Sequence, residues 1–164
     1  MDSVLKGNTG EYYVLAELSR RGWIAAQTPR NSRAYDVLAR KGDRQVGIRV
    51  KTKTSDARIF QWNAKHDGEI FLDIGANDFC ALVEIPDGDA YPLFYIVPTE
   101  TIREWLTGDF KTWVSTPGAR GQQRSVTNKR RVFYLDGDET KTARGYRKKL
   151  QAYLGRWDSL ERAE

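Results

Sequence analysis

The sequence predicts a single α/β domain in which a mixed sheet is flanked by helices. Three observations predict it. Helical periodicity opens and closes the chain, and between those ends lie short alternating or apolar runs of strand character. Two clusters of turn residues, Lys41-Gly42-Asp43-Arg44 and Pro86-Asp87-Gly88-Asp89, each sit between two such runs. The length, 164 residues, suits one hydrophobic core.

The elements follow in order. Residues 8–21 read as a helix, with Asn8 as N-cap and Glu11 three positions later, where a capping-box glutamate reaches back. Tyr12, Leu15, Ala16 and Leu18 fall on one face, and Gly22 closes the helix. Residues 23–28 form a short strand stopped by Pro29, and Asn31-Ser32-Arg33 is a loop. Residues 35–40 and 45–54 make a hairpin, 59–62 a short strand, and 79–85 a buried strand paired with 93–97. Residues 99–106 read as a helix ended by Gly108. Residues 115–130 are polar and glycine-rich, a mobile basic loop, and 131–135 is a late strand. A final helix is expected over 142–162, where Tyr146, Leu150, Tyr153, Leu154, Trp157 and Leu160 recur at helical spacing. That stripe either packs on its own sheet or forms a two-fold interface.

Composition excludes several classes. One Cys and one His permit neither an internal disulfide nor a Cys/His zinc site, so a bound metal would take oxygen ligands. No apolar run approaches membrane-spanning length, and the first residues lack the pattern of a secretory signal. The expectation is a soluble cytoplasmic protein with no membrane partner. The net charge of +5 is segregated: +6 over residues 1–60, −7 over 61–116 and +6 over 117–164. Two basic segments around an acidic middle suggest a face that attracts phosphates, or simply solvated charge.

The hairpin carries the chemistry. Side chains alternate across a strand, so Ile48 and Val50 face one side and Arg49, Lys51 and Lys53 the other, within reach of Asp36. Such a row is either a solvent-exposed face or a phosphate-handling one. Each residue also has a plain structural reading. Glu11 serves as a capping residue, Asp36 as a surface acid paired with Arg49 or Lys51, and the lysines as solvated charges. His66 is a loop residue, Cys80 a packing residue, and the five Trp mostly core; Trp62 suits base stacking only if exposed. Phosphodiester hydrolysis calls for carboxylates that hold a divalent cation and a positive group for charge developing on phosphate.

Lys6-Gly7…Glu11, then Tyr35-Asp36-Val37-Leu38-Ala39, then Ile48-Arg49-Val50-Lys51-Thr52 resembles the PD-(D/E)XK nuclease superfamily, and within it the archaeal Holliday junction resolvase branch. The resemblance spans about residues 6–54 and implies a restriction-endonuclease-like fold and a Mg²⁺- or Mn²⁺-dependent DNA endonuclease. Carried over by position, Glu11, Asp36 and Lys51 are the catalytic residues. Glu11, Asp36 and the backbone carbonyl of Val50 bind the metal. Arg49 stands where the family has Glu or Gln; a cation there removes a ligand and can pair with Asp36 instead. Nucleic-acid contacts are expected from Arg30, Arg33, Arg49, Lys53, Lys129, Arg130 and Arg131. The resembled resolvases are dimers, which makes a homodimer an expectation here. DNA, duplex or branched, ranks ahead of RNA as partner. The other reading is the same fold with an inactive site, a nucleic-acid-binding module.

Overall fold

The computed structural model describes residues 2–29, 32, 34–65, 68–138 and 141–162. Its first helix, α1 (Ser3–Arg20), begins five residues before the expected start. The cap is Asp2, whose carboxylate accepts the Val4 and Leu5 N–H groups at 3.1 and 3.4 Å. Asn8 and Glu11 therefore lie inside the helix, and Glu11 is no capping residue. The buried positions are Gly10, Val14, Glu17 and Leu18. Tyr12 and Ala16, expected on that face, are exposed.

β1 (Ile24–Gln27), β2 (Val37–Lys41) and β3 (Arg44–Thr54) follow. β4 (Ile59–Asn63) leaves this sheet, and β5 (Asp78–Ile85) and β6 (Leu93–Pro98) return to it. The five-stranded sheet has the order β1-β2-β3-β5-β6. Only the β3–β5 pair is parallel. β4 pairs antiparallel with β7 (Arg130–Tyr134) in a separate two-stranded sheet.

α1 covers one face of the five-stranded sheet, burying Val14 and Leu18 against Val37, Ile48 and Ala81. Gly10 makes the close approach possible, because a Cβ there would collide with the Thr52 hydroxyl on β3. The opposite face carries Cys80, Leu82, Tyr95 and Val97. It is covered by Phe60 and Trp62 of β4, Phe133 of β7, and Ile102 and Leu106 of α2 (Thr99–Ser115). α2 runs well beyond its expected end and through Gly108. The polar stretch after it is irregular; Arg124 lies over the Trp113 ring at 4.9 Å.

The expected long C-terminal helix does not form. Its helical part is only α3 (Tyr146–Gln151). The chain then runs along the outer edge of β6, with Tyr153 O accepting from Ile96 N at 3.0 Å and Gly155 N donating to Phe94 O at 2.8 Å. Gly155, at φ 65°, supplies the left-handed residue that ends helical continuation. A 3₁₀ turn, Trp157–Glu161, completes the crossing. Tyr146 and Leu150 thus join the core under α2, while Trp157 and Leu160 join the core under α1. The stripe wraps its own sheet rather than lying on one helix face open to a second copy.

The second layer also buries the cationic face of β3, so it is no solvent-exposed row. Lys53 is 3% exposed and pairs with Glu84 of β5 at 2.8 Å. Arg49 pairs with Asp78 at 3.4 Å and donates to Leu72 O at 2.9 Å. Its guanidinium lies over the Tyr35 and Phe71 rings at 4.8 and 5.3 Å. Asp78 also accepts from Tyr35 Oη at 3.0 Å and Gly75 N at 2.9 Å.

Removing one member of a buried pair strands the other charge, at a cost of roughly 3–5 kcal/mol. Glu84→Ala is therefore expected to lower the urea midpoint by that equivalent, whereas Asp87→Ala on the exposed turn shifts it by under about 0.5 kcal/mol. Equal midpoints for the two variants would show that Lys53 does not depend on Glu84.

Candidate active site

Asp36 sits where the hairpin opens. β2 and β3 stay in register as far as Val37 and Ile48, and the Asp36 N–H donates to Ile48 O at 3.0 Å. The chain then turns toward β1, with Thr28 N donating to Asp36 O at 2.9 Å. Past this point β3 has no β2 residue beside it, and the Asp36 side chain takes over: Oδ2 accepts the Val50 N–H at 2.7 Å. In an extended strand the N–H and C=O of one residue point to the same edge. The Val50 carbonyl therefore faces the gap beside Asp36.

Lys51 follows directly. It projects from the same face as Arg49 and Lys53, and its Nζ lies 5.8 Å from the centroid of the Trp62 ring. Burial pushes its pKa down, while the Asp36 carboxylate opposes that shift and Lys6 of α1 adds to it. Burial raises the pKa of Asp36, partly offset by the Val50 N–H and by the charges of Lys51 and Arg49. Among the described residues no carboxylate lies within ion-pair distance of Lys51. A partly buried acid and a partly buried amine thus lie within each other's field, each disfavoured by burial in its charged form. That is the electrostatic setting typical of a functional site.

Glu11 reaches the region from α1, where it accepts the side-chain amide of Gln27. Gln27 lies opposite Val37 in the β1–β2 register, so Glu11 and Asp36 belong to the same end of the sheet. The donors gathered here are carboxylate and carbonyl oxygens, which suit a hard divalent cation better than zinc or copper. Burial raises the pKa of Asp36, and a bound cation would oppose that shift. No group of three His, Cys, Asp or Glu side chains suited to a metal occurs among the described residues. A cation here would thus keep waters or take substrate oxygens.

The structure brings Asp36, Lys51 and the Val50 backbone together, with Glu11 at the same end of the sheet. It takes Arg49 away: the guanidinium pairs with Asp78, not Asp36. Lys53 is committed to Glu84, and Arg131 is buried with its guanidinium 3.3 Å over Phe110. These three, expected on phosphate, are internal. Lys129 and Arg130 are exposed, and Arg130 Nε donates to Gln61 at 3.0 Å. Arg30, Arg33 and His66 lie outside the described residues. Trp62 is buried against Phe133, 5.0 Å between ring centroids, and offers no face for base stacking. Cys80 is buried, as expected, and its thiol is pushed up to about 12. Sequence reasoning missed Gln27, for which no motif exists, and Asp78 and Glu84. Those two left a signal: acidic side chains in an apolar strand imply buried cations.

No family model and no curated protein matches the chain. Solved structures do. The bacterial homing endonuclease I-Ssp6803I aligns over 99% of this chain and 94% of its own, at a TM-score of 0.50 and 15% identity. Hjc, a Holliday junction resolvase from the archaeal hyperthermophile Archaeoglobus fulgidus, aligns over 82% of this chain and 85% of its own, at a TM-score of 0.40 and 16% identity. At such identities the likeness is one of fold. The chain has the restriction-endonuclease-like fold, a mixed α/β sheet flanked by helices, as the resemblance to PD-(D/E)XK nucleases implied.

Proposed function

We propose that the chain is a metal-dependent DNA endonuclease that hydrolyses phosphodiester bonds at the Asp36–Lys51 corner. The observation that carries this reading is the pairing of a desolvated carboxylate, oriented by the Val50 N–H, with a desolvated lysine on the next residue. The nuclease fold supports it. Asp36, Glu11 and the Val50 carbonyl would hold Mg²⁺ or Mn²⁺, which when bound supplies an activated water and neutralises phosphate charge. Asp36 contributes the anionic oxygens. Lys51, on the residue after Val50, would donate to a non-bridging phosphate oxygen or orient the attacking water. Arg49 pairs with Asp78 rather than with Asp36, which leaves the Asp36 carboxylate without a direct ion-pair partner among the described residues.

One observation favours a second reading, an inactive nuclease fold that only binds nucleic acid. The position of a third carboxylate is occupied by Arg49, and its partner network with Asp78, Leu72 and Tyr35 fixes it there. Cleavage separates the two readings.

Weak Mn²⁺-stimulated nicking of supercoiled or branched DNA is expected for the wild type. Asp36→Asn and Lys51→Met should each reduce it at least about 100-fold, the usual scale for losing one positioned charge. Binding without nicking in either metal establishes the inactive module. Stability should move the other way. Burial disfavours the charged form of both Asp36 and Lys51, so replacing both by neutral groups of similar volume should be neutral or stabilising, by up to about 4 kcal/mol. The double variant Asp36→Asn/Lys51→Met is expected to melt no lower than the wild type at neutral pH. The sign with pH follows from Lys51. Its folded pKa lies below the unfolded 10.5, so wild-type stability rises as pH climbs from the folded value to 10.5, and the gap to the double variant narrows. A double variant that melts several degrees lower would show that the pair is structural.

A further inference from the structure

A cleft of about 600 Å³ lies between the C-terminal half of α2, β7 and the chain on either side of β7. Nothing in the Asp36–Lys51 chemistry uses it. Its lining carries five cationic side chains against one carboxylate, Asp109. That carboxylate accepts the Tyr146 hydroxyl at 2.6 Å and so is committed to the core.

Lys141 pairs with Asp138 at 3.9 Å, whereas the four arginines are held by rings, carbonyls and a side-chain amide rather than by acids. Arg124 stacks on Trp113 and donates to Trp113 O at 3.1 Å. Arg131, 6% exposed, lies on Phe110 and donates to Asn128 O at 2.5 Å. Arg144 lies 4.6 Å over the Tyr134 ring. Among the described residues none of these three, nor Arg130, has a carboxylate partner. Burial alone lowers the pKa of Arg131, as expected of a guanidinium with no counter-charge. Positive charge held in place without a counter-ion is a preorganised anion site.

The anion's chemistry follows from the same groups. Planar guanidiniums and aromatic rings stack on a nucleobase, and the guanidinium N–H groups fork onto phosphate. The cleft matches the size of sites that enclose small molecules, and a duplex would not enter it. We propose that this cleft is a second binding site, one that takes nucleotides of a single-stranded nucleic acid, with phosphates on Arg124, Arg130 and Arg144. The site is separate from the proposed hydrolytic corner, and its test needs no cleavage.

Anisotropy of a labelled oligothymidylate is read with the full chain in EDTA across a salt series. The triple variant Arg124→Ala/Arg130→Ala/Arg144→Ala is expected to bind at least tenfold more weakly. The slope of log affinity against log salt should fall by about 2, from roughly 0.7 for each lost contact with a single strand. A triple of equal charge loss elsewhere, Arg40→Ala/Arg103→Ala/Arg156→Ala, is expected to stay within about twofold of wild type, with both variants matched to it by circular dichroism. The triple Arg→Lys variant of the cleft keeps the charge but not the planar groups, and should bind several-fold more weakly than wild type. Equal losses in the cleft and control triples overturn the site. Wild-type affinity in the Arg→Lys triple overturns the recognition of bases.

Discussion

Burial of a cationic strand face is the constraint on which the rest of the structure depends. β3 lies in the middle of the five-stranded sheet with α1 on one side and the β4–β7 pair and α2 on the other. Its odd residues bring three cations into that second interior. Charges taken out of water must be matched, and two are matched directly: Arg49 by Asp78 and Lys53 by Glu84, both acids from the neighbouring strand β5. Lys51 lies between them and has only the more distant field of Asp36. The same packing that neutralises the outer two leaves the middle one without an ion-pair partner among the described residues.

Much of this was legible in the sequence. The hairpin and its turn, the two apolar strands that follow and a row of cations near Asp36 all came from local pattern; the choice of Asp36 and Lys51 within that row came from the family resemblance. Their alternation and spacing are set by backbone geometry alone. What covers the odd face of β3 was not legible, because an alternating strand reads the same whether its polar side meets water or a second layer. Only the acids within Phe79–Ile85 and just before it carried that information, and they do so through a strand distant in sequence.

The helix boundaries failed for local reasons. Asn8 and Asp2 are equally good caps by residue type, and the extra turn gained at Asp2 comes from two N–H groups that its carboxylate satisfies. Helix α2 passes Gly108 because Phe110 and Trp113 stack beyond it and reward continuation. At the C-terminal end the apolar residues do recur at helical spacing, but they serve two different cores on opposite faces of the sheet. Periodicity reports that a residue is buried; it does not report against what.

That crossing has a consequence for how the molecule meets others. By hydrogen bonding along β6, residues 153–155 occupy the amides and carbonyls that an edge strand would otherwise offer to a foreign chain. The five-stranded sheet is left with one open border, the four-residue β1, where Ile24 stands 81% exposed. Growth of that sheet by strand addition, whether in an ordered assembly or in aggregation, is channelled to this short border. A proteolytic nick between α3 and Gly155 would undo the protection. It would expose a second, longer and more apolar border without touching a single residue of the Asp36–Lys51 corner.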